Sequence, residues 1–161
     1  MTTELLYQIC TIGVLPAWLL LIVAPKWKFT QLFVHSFFIP MLLGIFYIGL
    51  QATDEGGNTE ANALTLDGAR QLFASPKGFL AGWVHYIIFD LFVGAWVVRD
   101  AFKEKINHLI VIPCLLIMIA LGPVGLLLYS FVRVVKTRSI AIVEEMHPHI
   151  MSSPLTQQKV L

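Results

Sequence analysis

Charge is scarce in this chain. Lys and Arg number 11 and Asp and Glu 10 among 161 residues, 13% in all, where a soluble domain averages about 25%. That shortage excludes an ordinary soluble globular protein. A net charge of +1, with basic residues scattered rather than striped, leaves no footprint for nucleic acid. Cysteine is nearly absent: Cys10 and Cys114 sit in apolar runs without CxxC spacing, so neither a disulfide framework nor a thiol redox motif is present. No lysine falls inside an apolar run, which removes the attachment point for a retinal Schiff base. The histidines are too dispersed for a clustered iron site, and His147-Pro148-His149 lies in the polar tail. Phosphate-cradling loops and nucleophile elbows are missing too. No metal site and no cofactor is expected.

What is there is hydrophobic: 57% of residues, with a mean hydropathy of +0.77. Four apolar runs, about residues 5–24, 29–50, 78–98 and 109–132, each approach the ~20 residues that cross a bilayer as a helix. The first is a span rather than a signal peptide, because its leading region is acidic (Glu4) and further spans follow. Pro25-Lys26-Trp27-Lys28 closes it with residues suited to the interface. Between spans two and three lies the one long polar stretch, acidic at Asp54-Glu55. Its second half, Thr65 to Ala74, places Leu66, Ala69, Leu72 and Phe73 at helical spacing, the pattern of a short interfacial helix. The expected fold is therefore an all-α membrane protein: a four-transmembrane-helix bundle over residues 1–138, followed by a polar tail over 139–161. Orientation stays open. Lys26 and Lys28 argue for an outside N-terminus, whereas Arg133, Lys136 and Arg138 after the fourth span argue the other way. A re-entrant segment breaking at Gly122-Pro123 would reconcile them, but each half is too short to span, so four full crossings are expected.

The third run is the informative one, because it carries His85 and Asp90 well inside. An ionisable side chain at the centre of a membrane helix costs roughly 2.5–3.5 kcal/mol even on gentle insertion scales, so it faces protein or a water pocket. At ~1.5 Å per residue, antiparallel neighbours can be compared by depth. His35 of the second run falls close to Asp90, and His85 falls near Gln8, Thr11 and Tyr129. Around the helix, Gly82, His85, Tyr86, Phe89 and Asp90 occupy an arc of about 140°. Gly82 and Gly94 would admit a neighbouring helix or a flat ligand. The aromatics Trp83, Phe89, Phe92 and Trp96 fit an interface belt and packing. What remains chemically is a His/carboxylate pair able to move a proton beside an apolar ligand.

Gly82-Trp83-Val84-His85-Tyr86, then Phe89-Asp90-Leu91-Phe92-Val93-Gly94 with a later Asp100, resembles the neoxanthin-synthase-like membrane proteins, the abscisic-acid-deficient-four family. Gly122-Pro123-Val124-Gly125 with Tyr129, and Phe73-Ala74-Ser75-Pro76 before span three, are similar to that family's other markers. The resemblance implies a link to carotenoids: plant members are associated with converting violaxanthin to neoxanthin, an isomerisation that needs no redox cofactor. Laid over the motif, this chemistry makes Asp90, His85 and His35 the candidate catalytic residues. Gly82, Trp83, Tyr86, Phe89 and Tyr129 become the candidate substrate-binding residues. Membrane lipid and a carotenoid or other polyene lipid are the expected partners, with a homo-oligomer as a further one. Three functions stay open: a carotenoid isomerase, a non-catalytic pigment- or partner-binding membrane protein, and a small transporter. The chain begins almost at its first span without a Ser/Arg-rich leader. That points to a bacterial inner membrane, or to a plastid-type membrane if a leader has been removed.

Overall fold

A computed structural model describes residues 2–53 and 64–141, and every regular element among them is helical. In chain order these are α1 (Thr3–Gly13), α2 (Leu15–Val23), a π-helical turn (Thr30–Val34), α3 (Phe38–Ala52), α4 (Leu66–Leu72), α5 (Pro76–Lys103), α6 (His108–Ala120) and α7 (Gly122–Thr137). Local chemistry sets most of the boundaries. Ser75 caps α5 by accepting from the Gly78 N–H at 2.8 Å, with Pro76 at the first helical position, where its missing N–H costs nothing. Thr65 caps α4 in the same way, and that helix falls inside the Thr65–Ala74 stretch expected from the sequence. Pro16 starts α2, so the first apolar run is two helices end to end. The π-helical turn is held by the Thr30 hydroxyl, which donates to the Ala24 carbonyl at 2.7 Å.

The bundle is built around α5, 28 residues or about 42 Å long. α3 runs antiparallel to it, as Phe37 against Phe92 and Tyr47 against His85 show. α1 and α2 run parallel to it, joined at one level by Trp83 Nε1 donating to Thr11 Oγ1 at 2.9 Å. At the far end, the ring nitrogen His108 Nε2 lies 2.9 Å from the Ile22 carbonyl. The apolar core lies between these helices, with Leu21, Val84, Leu91, Val98, Val111, Leu115 and Met118 fully enclosed.

The fourth apolar run departs from expectation. It is not one crossing: the chain breaks at Leu121, and α6 and α7 fold back on each other. α6 starts beside Phe102, where the His108 ring stacks. The break lies beside Asp90, near the middle of α5. α7 then returns, so that Tyr129 and Arg133 meet Asp100. Pro123 and the two glycines explain the turn. Pro123 cannot supply the N–H that a continuous helix needs. Gly125 lets the returning arm lie on the Met118 backbone, which a Cβ would approach to 2.6 Å. Three stretches are long and apolar enough to cross a membrane, Thr3–Val23, Thr30–Ala52 and Pro76–Lys103; α6 and α7, at 13 and 16 residues, are not.

Candidate functional site

Asp90 lies about 20 Å along the axis from either end of α5, against the tip of the α6–α7 hairpin. A Cβ on Gly122 would run into both carboxyl oxygens, so only glycine lets the tip close on this side chain. Asp90 Oδ2 is buried and has no hydrogen-bond partner among the described residues. A buried polar atom without a partner is costly, by roughly 1–3 kcal/mol and more when charged, and calls for an explanation. Tyr86, one turn earlier on the same face, interacts through its hydroxyl with the Asp90 carboxyl and with the Gly122 backbone. Both side chains line a cavity of about 90 Å³ between α1, α2, α5 and α6, walled by Thr11, Leu15, Trp18 and Ile119.

The other expected site residues are placed elsewhere. His85 is exposed on the side facing α3, its ring 4.6 Å from Phe89 and 6.2 Å from Tyr47. It points roughly 140° around the helix from Asp90, because five residues separate them at ~100° each. The expected His85/Asp90 pair is thus not assembled. His35 is not beside Asp90 either. Arg99 Nη1 donates to its backbone carbonyl at 3.3 Å, and both its ring nitrogens are buried without partners among the described residues. The depth comparison missed because residues 24–37 form turns and a π-helical segment instead of a regular helix. Gly82 is covered by the Phe73 ring and Gly94 by the Trp18 indole, so neither gives a ligand room. Trp83 packs against Tyr7 and Tyr86, and its indole N–H is taken by Thr11. Tyr129 lies not near His85 but at the other end of the bundle, a consequence of the fold-back.

There Tyr129 belongs to a second polar cluster that the sequence reading did not identify. Its hydroxyl donates to Asp100 Oδ2 at 2.5 Å, and Arg133 Nε donates to the same oxygen at 2.8 Å. Arg133 Nη2 reaches Glu104 at 3.3 Å and Nη1 the Ala141 carbonyl at 3.3 Å. Asp100 is 8% exposed, Arg133 6% and Tyr129 0%, so this network is desolvated and ties the returning arm of the hairpin to α5. The sequence signal was an arginine eleven residues after Gly122, legible only once the run is folded back.

Among the described residues no three His, Cys, Asp or Glu side chains form a group that could hold a metal ion. Gly122→Ala tests the closure on Asp90 directly. The added methyl meets both carboxyl oxygens and displaces them. Overpacking itself costs only about 1–3 kcal/mol. The expected outcome is a modest drop in melting temperature in detergent, with the protein still folded.

Fold and site together define a small all-helical protein with an apolar exterior, in which a helical hairpin presses its glycine tip onto a carboxyl half way along the central helix. Residues 5–129 match the family described as ABA DEFICIENT 4-like, and the chain belongs to that family. It is also 26% identical over 116 residues to a protein of Arabidopsis thaliana named Protein ABA DEFICIENT 4, chloroplastic. The aligned region covers 66% of this chain and 53% of that protein, so the chain spans about half the length of the curated relative it matches. No solved structure matches.

Proposed function

We propose that the chain is a multi-pass membrane protein of carotenoid metabolism that isomerises an oxygenated polyene by proton transfer at Asp90. The observation that carries this reading is the buried, unpartnered Oδ2 of Asp90, a side chain that lines a cavity together with Tyr86. Membership of the ABA DEFICIENT 4-like family supports the substrate class. The step balances without a redox partner. Asp90, as carboxylate, takes the proton from the vinyl carbon next to an epoxidised ring, and that C–H electron pair becomes the second double bond of an allene. The allylic epoxide C–O bond breaks, and the oxygen stays on the neighbouring ring carbon. Tyr86 delivers a proton to that oxygen, and Asp90 returns its own to Tyr86. General acid–base help of this kind is worth about 10²–10⁴-fold. His85 and His35, on other faces, take no part in it. The test is expression of the chain in a host that accumulates violaxanthin, with extracted pigments resolved by chromatography. An allenic product supports the reading, and an unchanged profile with folded protein present overturns it.

The same reading sets a topology. With the hairpin re-entrant, the chain crosses three times. Lys26, Lys28, Arg99, Lys103, Lys105, Arg133, Lys136 and Arg138 then share one end of the bundle, while the other end has Arg70 and Lys77 beside Glu4 and Asp67. By the positive-inside rule the basic end faces the cytoplasm or its plastid equivalent. A membrane-impermeant maleimide should therefore label Thr2→Cys in intact cells and Ser139→Cys only after permeabilisation. Labelling of both from one side would restore an even number of crossings.

A further inference from the structure

The Asp90 cavity does not end at its polar wall. Three of its residues, Leu15, Trp18 and Ile119, also line a larger apolar groove of about 480 Å³ on the outer surface of α2 and α6. From Ile12 to Ile22 this groove follows the helix for about 15 Å. Leu15 and Leu19, at 47% and 60% exposed, present it to the surroundings. At its inner end the chemistry changes: the wall becomes the Tyr86 hydroxyl and the Asp90 carboxyl, the latter with one oxygen lacking a partner. The Thr11 hydroxyl at the same wall already accepts from Trp83 and donates to the Tyr7 carbonyl, so it offers little to a ligand.

An apolar trough leading to a carboxyl with one unpartnered oxygen matches a molecule of one build. Its body is a hydrocarbon rod, and an end of that rod carries an oxygen function. A fatty acyl chain arriving tail first would leave Asp90 Oδ2 unpartnered, at the cost already noted. A phospholipid arriving head first would bring a phosphate against a carboxyl, which like charges oppose. A neutral ring hydroxyl or epoxide meets neither objection.

We propose that Asp90 is reached sideways from the bilayer between α2 and α6, and that the ligand is a rod-shaped polyene lipid. Its oxygenated terminal ring lies at Tyr86 and Asp90, and its chain lies along Leu15, Leu19 and Ile22. This deepens the proton-transfer reading and rests on it for the choice of a polyene. It differs from a groove beside α3, where His85 lies, and it places the ring near mid-bilayer, away from the surface.

The experiment uses the full chain purified in detergent with violaxanthin added, and β-carotene, the same rod without oxygen, as comparator. Bound pigment per protein is read by absorbance after gel filtration. Leu19→Trp, an exposed change that folding tolerates, and Ile119→Trp, at the shared wall, each fill the groove. Leu42→Trp fills the groove between α1 and α3, which shares only Val14 with the Asp90 cavity against three residues for the α2–α6 groove, and is the control. Wild type and Leu42→Trp should hold violaxanthin at least fivefold better than β-carotene, and Leu19→Trp should lose at least fivefold of that binding. Asp90→Asn should keep most of the pigment, since the rod holds it, while losing conversion. Binding that survives in both Leu19→Trp and Ile119→Trp, or is lost in Leu42→Trp, overturns the route while leaving Asp90 as the acid–base group. Normal conversion by Asp90→Asn, with the groove variants impaired, would overturn the chemistry and keep the route. Equal binding of the two pigments would overturn the placement of the ring.

Discussion

Asp90→Asn should abolish pigment conversion, by at least about 100-fold, while leaving the folded protein intact. The amide is nearly isosteric, so it fits beneath Gly122 as the carboxyl does. Stability should therefore hold or rise, because a desolvated ionisable group is exchanged for a neutral one. That divergence is the informative part: a residue kept only for packing would show neither effect, and one kept for structure would lose stability. Tyr86→Phe should follow in the same direction with a smaller loss, since in the proposed step the phenol only relays a proton between the epoxide oxygen and Asp90. His85→Ala should convert pigment at close to the wild-type rate, because its ring is on the α3 side. Measurement of allenic product per folded protein, alongside melting temperature, decides all three. A fully active Asp90→Asn would sink the acid–base assignment.

The largest effect on stability belongs to Arg133→Met. Asp100 and Arg133 are both nearly inaccessible, and removing the guanidinium leaves a buried carboxylate with only the Tyr129 hydroxyl. Breaking one partner of a buried pair costs about 3–5 kcal/mol, a large part of the ~5–15 kcal/mol that holds a domain together. Glu104, partly exposed, loses its contact too but is rescued by water. The companion variant Arg133→Met with Asp100→Leu should recover most of the loss, since replacing both charges by apolar groups is often neutral. Tyr129→Phe should cost about 1.5–3 kcal/mol for a hydrogen bond to a charged group. Thermal unfolding in detergent separates these. Because the cluster fastens α7, Arg133→Met should also let the hairpin tip drift from Asp90. Lost conversion in this variant at temperatures where it remains folded would show that.

Much of the site was legible one residue at a time. Asp90 stood out because a carboxyl is expensive in an apolar run, and Gly122-Pro123 because it interrupts another. Their meeting was not legible. The re-entrant arrangement was set aside since neither arm can span a bilayer, yet arms that turn back never need to. That single choice also sent Tyr129 to the wrong end and put Arg133, Lys136 and Arg138 opposite Lys26, Lys28 and Lys103. His85 and Asp90 were read as sharing a polar face because an arc of about 140° is broad enough to hold both. In the bundle that arc is wide enough to face two different neighbours, α3 on one side and the hairpin on the other.

From the sequence alone came the helical class, the runs and most of their ends, and the cost of putting Asp90 among apolar residues. These depend on composition, periodicity and capping, which act over one or two turns. The tertiary structure decided which residues Asp90 meets, which glycines are closed by an aromatic ring, and where Arg133 finds its carboxylate. Those are contacts between segments far apart in the chain, set by how a broken helix folds back, and no local pattern encodes the direction in which it returns.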